Sequence, residues 1–215
     1  MFYRKQAAMA GIFIAATLFL TLGLAFAETA EEAVDKGIKY YKQKQFEEAI
    51  NEFNKAIEIN PNLAEAYNNR GFAYIYQGNF SQAISDYDKA IEINPNYADA
   101  YYNRALAYGK HGNLSQAISD FSKAIEINPN NADTYIGRGI AYEKQDNYTQ
   151  AISDYGKAIE INPSNALVYY NRGVVYYETK EYDKAWADIH KAEGLGKTIN
   201  PELLNALRQA SGRDK

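Results

Sequence analysis

The chain has 215 residues, with 23 lysines and arginines against 27 aspartates and glutamates, and a formal net charge of −4 at pH 7. It contains no cysteine, which excludes disulfide bonds, a cysteine nucleophile and a lipid-modified N-terminal cysteine. The acidic balance argues against sequence-independent binding of nucleic acid, because such binding depends on lysines and arginines that neutralise phosphates.

The first 27 residues have the composition of a secretory signal peptide. Arg4 and Lys5 precede an uncharged apolar stretch at 7–27, which ends in Ala-Phe-Ala before Glu28. Cleavage after this stretch is the favoured interpretation. The alternative is an uncleaved membrane anchor, because about 20 apolar residues can span a bilayer. Both interpretations predict that the rest of the chain is exported, to the periplasm or the exterior.

A repeat of 34 residues dominates the rest of the chain. The phrase Ile-Glu-Ile-Asn-Pro occurs four times, with its prolines at Pro61, Pro95, Pro129 and Pro163. Frames that end two residues after each proline give five units without insertions, namely 30–63, 64–97, 98–131, 132–165 and 166–199. Self-similarity at this period indicates one supersecondary unit that has been copied and stacked.

Large and small residues alternate at helical spacing within each unit. Place 4 of a unit is tyrosine except for Ala33, place 8 is glycine or alanine, and place 11 is always tyrosine. In the second half, alanines at places 20 and 27 flank an aromatic residue or isoleucine at place 24. Steps of three and four put these residues on one stripe of a helix, and small residues let two helices approach. Each unit is therefore predicted to be a helical hairpin.

This pattern resembles the tetratricopeptide repeat family, and the resemblance covers residues 30–199. It implies an all-α, right-handed α-solenoid of five helical hairpins with a C-terminal capping helix. Place 4 is never tryptophan, and place 7 is basic where the family often has leucine. Together with Ala33 at place 4 of the first unit, these departures predict a frayed first unit rather than a different fold.

Asparagines are predicted to cap the helices. Second helices are predicted to begin at three asparagines that precede a glutamine by three residues, Asn79, Asn113 and Asn147. First helices are predicted to begin at three that precede an acidic residue by three, Asn62, Asn96 and Asn130. Gly78 and Gly112 supply the turn inside their hairpins.

The second-helix asparagines also begin Asn-x-Ser/Thr sequons, which are candidate glycosylation sites in an exported chain. An asparagine that binds backbone amides at a tight turn needs no sugar to explain it. The capping role is therefore favoured, and glycosylation at Asn79, Asn113 and Asn147 stays open.

The array is predicted to end with a capping helix. Lys197 stands where the fifth proline would be, and the next Ile-Asn-Pro comes four residues late, at 199–201. Residues 200–210 have Asn200 as the N-cap, a proline at the first helical position and leucines on one face. Residues 211–215 are predicted to be a disordered tail.

No catalytic constellation is visible in the sequence. There is no phosphate-binding glycine loop, and His111 and His190 lie in different units without metal-ligand spacing. The sequence therefore predicts a protein that is not an enzyme and holds no cofactor or metal. Carbohydrate handling stays open only because tyrosines at the rim of the array would stack on sugars.

The resemblance also implies where a partner binds. In the family, places 2, 5, 6, 9, 12 and 13 of each unit line a concave groove. The candidate groove residues carried over to this chain are Glu65, Asn68, Asn69, Phe72, Asp99, Tyr102, Asn103, Leu106, Asp133, Ile136, Tyr170 and Asn171. Asparagine amides match the donor and acceptor of a peptide unit, and the carboxylates favour a basic or neutral protein segment. The family's clamp for partner C-termini is missing.

The favoured interpretation is a non-catalytic scaffold that binds a partner protein or peptide in this groove, with no nucleic acid. The alternative is a structural or self-associating subunit of an envelope assembly. Contact with a membrane is expected only through an uncleaved N-terminus.

Overall fold

The computed structural model describes residues 28–212. The predicted signal peptide or anchor at 1–27 and the end of the predicted tail at 213–215 lie outside these residues. The described chain is entirely helices and turns, and its eleven helices are α1 (Ala30–Lys42), α2 (Phe46–Ile59), α3 (Ala64–Tyr76), α4 (Phe80–Ile93), α5 (Ala98–Lys110), α6 (Leu114–Ile127), α7 (Ala132–Glu143), α8 (Tyr148–Ile161), α9 (Ala166–Glu178), α10 (Tyr182–Gly194) and α11 (Pro201–Ser211).

The helices form five consecutive hairpins, from α1 with α2 to α9 with α10, and each hairpin packs on the next. First helices of successive hairpins also touch one another directly, as α1 with α3, α3 with α5 and α5 with α7. Elements on the inside of a curved stack lie closest together, so the first helices line the concave side. The predicted all-α array of hairpins is confirmed.

Small residues allow the two helices of a hairpin to approach closely. A methyl group added to Gly71 would lie 2.8 Å from the ring of Tyr87, and one added to Gly139 would lie 2.7 Å from the ring of Tyr155. Alanines at places 20 and 27 of the units are buried throughout, from Ala49 to Ala192. The core is therefore a continuous seam of rings seated on glycines and alanines.

The first hairpin is not frayed, which corrects the sequence-based prediction. α1 begins with a capping box, in which the Thr29 hydroxyl accepts from the Glu32 N–H at 3.1 Å and the Glu32 carboxylate accepts from the Thr29 N–H at 3.0 Å. Ala33 at place 4 is fully buried. A small residue is suited to this end of the array, where no preceding hairpin packs against a larger one.

The predicted asparagine caps are only partly right. Asn79, Asn113 and Asn147 do occupy N-cap positions, but their side chains make no capping hydrogen bond. First helices begin one residue later than predicted in hairpins two to four, after Leu63, Tyr97 and Asn131. Among these three, only Asn131 accepts hydrogen bonds from the helix N-terminus.

The asparagine of each Asn-Pro pair explains the delay. Its Oδ1 accepts the backbone N–H two residues further on, at 3.1–3.4 Å, in Asn60, Asn94, Asn128 and Asn162. This Asx turn occupies the residues that the sequence pattern assigned to the cap. The repeated asparagine therefore shapes the turn between hairpins.

The turn inside every hairpin contains one residue with a left-handed backbone, 34 positions from the next. Gly78 and Gly112 have φ of 78° and 86°, as their type predicts. The same place in the other hairpins holds Lys44, Asp146 and Lys180, with φ of 57–62°. The turn geometry is thus imposed by the hairpin even where the residue disfavours it.

α11 closes the C-terminal end of the array. Asn200 Oδ1 accepts from the Glu202 N–H at 2.9 Å, Leu207 is fully buried against the last hairpin, and Trp186 Nε1 donates to Ser211 Oγ at 3.1 Å. Among residues 28–212, no helix is both long enough and apolar enough to cross a bilayer.

Candidate functional site

Buried arginine–aspartate pairs run through hairpins two to five. Place 7 of each first helix donates from Nε and Nη2 to both carboxylate oxygens at place 23 of the second helix, at 2.6–2.9 Å. We call this set the arginine ladder, and its pairs are Arg70–Asp86, Arg104–Asp120, Arg138–Asp154 and Arg172–Asp188. Bidentate geometry of this kind fixes the relative position of two helices.

The ladder also ties hairpins two, three and four to the hairpin before each of them. Arg70 Nη1 donates to Asn54 at 2.6 Å, Arg104 Nη1 to Asp88 at 2.5 Å and Arg138 Nη1 to Ser122 at 3.0 Å. Each arginine also lies 5.5–5.9 Å from the centre of the place 4 tyrosine ring of its own helix. Burial raises the pKa of Asp86, and the hydrogen bond from Arg70 opposes that shift.

The sequence pattern did not predict the ladder, because the basic residue at place 7 stands out only as a departure from the family pattern. The signal was present in the joint occurrence of arginine at place 7 and aspartate at place 23 in four units. The first unit has Lys36 and Glu52 there instead, and Lys36 Nζ bonds Glu28 at 2.6 Å. The ladder contributes to the rigidity of the array rather than to a binding surface.

A polar cleft lies across the first helices of hairpins two, three and four. The residues that line the polar cleft are Asn68, Asn69, Phe72, Asp99, Tyr102, Asn103, Asn131 and Asp133. All but Asn131 belong to the groove predicted from the sequence. Asp99 and Asp133 are exposed in the first turns of α5 and α7, and neither forms an ion pair within the described part of the chain.

The amides of the polar cleft are not equivalent. Asn103 Nδ2 donates to Oδ1 of the buried Asn68 at 3.0 Å, so it links α3 to α5. The side-chain amide of Asn69 has no hydrogen-bond partner among residues 28–212. Burial, together with the carboxylates of Glu65 and Asp99, raises the pKa of Tyr97 to about 12, and this phenol therefore stays neutral at physiological pH.

A second concavity, the apolar crevice, lies between hairpins three and four. The residues that line the apolar crevice are Ala105, Leu106, Gly109, Lys110, Leu114, Ala117, Phe121, Gly137, Ile140, Ala141 and Lys144. Its only charged lining residues are Lys110 and Lys144, at the C-terminal ends of α5 and α7. Of the twelve predicted groove residues it contains Leu106 alone.

The remaining predicted groove residues lie outside both concavities. Glu65 is exposed in the first turn of α3, and Asn171 is half-buried on α9. Ile136 is buried in the core of the fourth hairpin. Tyr170 packs beside the core of the last hairpin, with Lys197 Nζ 5.0 Å from the centre of its ring.

The described residues contain no group of three histidine, aspartate or glutamate side chains placed to hold a metal ion. The polar cleft is lined by carboxylates, amides and two aromatic rings, with no serine, cysteine, lysine or histidine among its lining residues. Its chemistry is that of hydrogen bonding and charge recognition.

Comparison with protein families gives three matches, which together run from residue 37 to residue 180. The model described as TPR repeat matches 37–75 and 144–180. Two models described as tetratricopeptide repeat match 64–97 with 98–131, and 121–153. No curated protein matches the chain.

Solved structures with the same architecture include two crystal structures of MamA. The first is 28% identical, with a TM-score of 0.70 over 74% of this chain and 93% of MamA. The second is 26% identical, with a TM-score of 0.71 over 81% and 99%. The structure of YrrB, described as a TPR protein with an unusual peptide-binding site, is 22% identical, with a TM-score of 0.69 over 90% and 97%. At that identity the likeness to YrrB shows the fold alone.

Proposed function

The chain belongs to the tetratricopeptide repeat family, and from that premise we propose that it is a non-catalytic scaffold whose concave surface binds an extended segment of a partner protein. The observation that carries this proposal is the polar cleft. It lies on the inner side of the array, and it combines carboxylates, amides and two aromatic rings without catalytic chemistry.

The carboxylates define the charge of the preferred segment. Asp99 and Asp133 recur at the same place of successive first helices, and no cation of the described chain pairs with them. Such carboxylates raise the local concentration of positively charged segments and disfavour acidic ones. The segment is therefore basic or neutral where it crosses the polar cleft.

The amides supply contacts to the backbone of the segment. Asn69 has its donors and its acceptor available, which matches the acceptor and donor of one peptide unit. Asn103 has one N–H committed to Asn68, so its carbonyl oxygen and second N–H are what it offers to a partner. Phe72 and Tyr102 flank these amides and contact the side chains of the segment.

Selection from a random peptide library displayed on phage tests the proposal. We expect enrichment of basic or neutral peptides, and a loss of affinity of about three- to tenfold at low salt when Asp99→Asn and Asp133→Asn are combined. The matched control combines Glu126→Gln and Glu160→Gln, which remove the same charge from second helices on the outer side. Equal losses in both double variants, or no enrichment at all, would reject the groove.

We propose further that residues 1–27 direct export, so that binding takes place outside the cytoplasm. The basic start, the apolar stretch and the Ala-Phe-Ala end support this. Cell fractionation with intact-mass measurement of the mature chain tests it. A chain that keeps these residues and stays in the cytoplasmic fraction contradicts the proposal, and the same mass reports any glycan on Asn79, Asn113 or Asn147.

A further inference from the structure

The apolar crevice lies at a junction where three places of the array hold their smallest residues. At places 12 and 17 the missing bulk opens space, whereas at place 6 the ring of Phe121 packs against Gly137, 2.6 Å from where a Cβ would lie. Place 12 is Gly109 in the third unit, whereas the other units have Tyr41, Ile75, Glu143 and Tyr177. Place 17 is Leu114, whereas the other units have Phe46, Phe80, Tyr148 and Tyr182. Place 6 is Gly137 in the fourth unit, where the other units have asparagine or aspartate.

The equivalent space between hairpins one and two is filled. Four rings, which we call the aromatic cluster, pack there with centroids 5.1–5.6 Å apart, and they are Tyr41, Phe46, Phe72 and Tyr76. Place 12 of the fourth unit is also engaged, because Glu143 accepts a hydrogen bond of 2.6 Å from the Tyr155 hydroxyl. Gly109 has no side chain that could fill this space as Tyr41 does or accept a hydrogen bond as Glu143 does.

The size of the apolar crevice fits a single side chain. Its volume is about 170 Å³, and a cavity of about 150 Å³ with a similar aliphatic and aromatic lining is large enough for benzene. Phe121 and Ala117 are buried at its floor, while Ile140 is exposed at its mouth. A leucine or phenylalanine side chain therefore fits.

The positive charge at the mouth of the apolar crevice favours a ligand with an acidic group. Lys110 and Lys144 line the apolar crevice, their ammonium groups form no ion pair or hydrogen bond within residues 28–212, and no acidic residue lines it. The nearby polar cleft has the opposite sign. An apolar group with a carboxylate beside it is complementary to this end of the concave surface.

We propose that the apolar crevice is an anchor pocket for a leucine or phenylalanine side chain of the partner segment, and that an acidic residue next to this anchor pairs with Lys110 or Lys144. The inference rests on the proposed function and deepens it. The partner segment is then basic or neutral where it crosses the polar cleft, and it also has an apolar anchor residue next to an acidic residue.

Titration with the blocked dipeptide N-acetyl-Leu-Asp-amide, followed by NMR of the chain, tests this inference. We expect chemical-shift changes at Gly109, Leu114, Gly137 and Ile140. The dissociation constant rises at least about tenfold when alanine replaces the leucine of the probe. It rises about two- to fivefold at low salt when asparagine replaces the aspartate. The absence of changes at these four residues overturns the proposal.

Variants of the chain separate pocket from surface. Gly109→Tyr introduces the residue that the first unit has, and the space around its Cβ is open, with Ala117 Cβ 4.0 Å away. It abolishes binding of the probe, as does Leu114→Phe in case the tyrosine alters folding. Lys110→Gln with Lys144→Gln removes the preference for the aspartate probe, whereas Lys42→Gln, at the same place 13 of the first unit, leaves it unchanged.

The two proposals fail in different ways. If Gly109→Tyr and Leu114→Phe bind the probe as the unchanged chain does, while library peptides still depend on Asp99 and Asp133, the anchor pocket is refuted and the groove stands. If the probe depends on Gly109 and the lysines, while no library peptide depends on Asp99 or Asp133, the pocket stands and the proposed groove is refuted.

Discussion

Two junctions of the array have the same backbone arrangement and opposite interiors. At the first junction, where α1 and α2 meet α3, the aromatic cluster fills the space between hairpins. At the central junction, where α5 and α6 meet α7, the same space is the apolar crevice. The arginine ladder also differs between them, because both hairpins of the central junction have it, whereas at the first junction hairpin two has it and hairpin one lacks it. Arg70 of hairpin two still donates to Asn54 of hairpin one at 2.6 Å, so the ladder reaches across the first junction as well.

This difference shows that an array of near-identical units can separate stability from binding. Ring packing holds the first junction together, and it leaves no space for a ligand. Buried bidentate ion pairs hold the hairpins of the central junction in position, so side chains can be absent from its concave side without loss of the fold. Four tests, given in order of decreasing expected effect, examine this difference between the junctions.

The largest effect is expected from breaking the ladder at the central junction with Arg138→Met. Asp154 is 4% exposed and would be left as an uncompensated buried charge. We expect a loss of about 3–5 kcal/mol in the free energy of unfolding, measured by urea denaturation followed by circular dichroism.

The control lies at the first junction. Lys36 occupies the same place 7, but it is exposed and pairs with the half-buried Glu28, so Lys36→Met should not change the unfolding midpoint measurably. Combining Arg138→Met with Asp154→Leu should recover most of the lost free energy of unfolding, since an apolar pair can replace a buried ion pair. Equal effects of Lys36→Met and Arg138→Met would show that the ladder does not distinguish the junctions.

The second largest effect is expected from opening the first junction with Tyr41→Gly. The ring of Tyr41 contacts Phe46, Phe72 and Tyr76, and glycine is also unfavourable inside α1. We expect a loss of about 2–4 kcal/mol by the same denaturation measurement. The reciprocal change at the central junction, Gly109→Tyr, should cost nothing, and a large loss there would mean that Gly109 is required for packing rather than for an open site.

The repeat predicted the hairpins, because helical spacing depends on positions that recur in every unit. The concave placement of the polar residues was implied by the resemblance to the tetratricopeptide repeat family. The repeat did not predict the apolar crevice, which depends on Gly109 and Leu114 being smaller than their counterparts, on the packing of Phe121 against Gly137, and on how three helices meet. Nor does the repeat show which amide is bonded within the array: the side chain of Asn103 donates to Asn68 of the neighbouring unit, whereas that of Asn69 at the same place does not form such a bond. The apolar crevice is formed at places where one unit deviates from the others, and a repeat pattern describes only what the units share.

The third effect concerns place 24, the ring beneath each junction. Phe53 and Phe121 occupy it at the first and central junctions, whereas Tyr87 and Tyr155 occupy it in hairpins two and four. The Tyr155 hydroxyl donates to Glu143, but the buried Tyr87 hydroxyl has no partner in the described structure. We expect Tyr87→Phe to stabilise the fold by about 1 kcal/mol and Tyr155→Phe to destabilise it by a similar amount.

Thermal and urea unfolding of these two variants should therefore shift in opposite directions. Ile75→Glu supplies hairpin two with the acceptor that Glu143 provides in hairpin four. In that background Tyr87→Phe should lose its stabilising effect. A stabilising Tyr155→Phe would instead indicate that both hydroxyls are tolerated for reasons other than hydrogen bonding.

The smallest effect is expected at the turn inside each hairpin. Lys44, in the first hairpin, has φ of 62°, and Gly112, at the same place in the third, has φ of 86°. A left-handed backbone costs a residue with a side chain about 1–2 kcal/mol, and replacement by glycine removes this cost. Glycine also has greater freedom in the unfolded chain, which cancels part of the stability gained.

Lys44→Gly should therefore raise the free energy of unfolding by about 0.5–1 kcal/mol, and Gly112→Lys should lower it by about as much. Lys39→Gly, an exposed position inside α1, is the control and should lose about 1 kcal/mol, since glycine is unfavourable where φ is helical. The opposite signs at Lys39 and Lys44, five positions apart, would show that the turn conformation and not the lysine side chain sets the effect. The same sign at both positions would mean that the first hairpin relaxes its turn, and that hairpins one and three differ in backbone as well as in side chains.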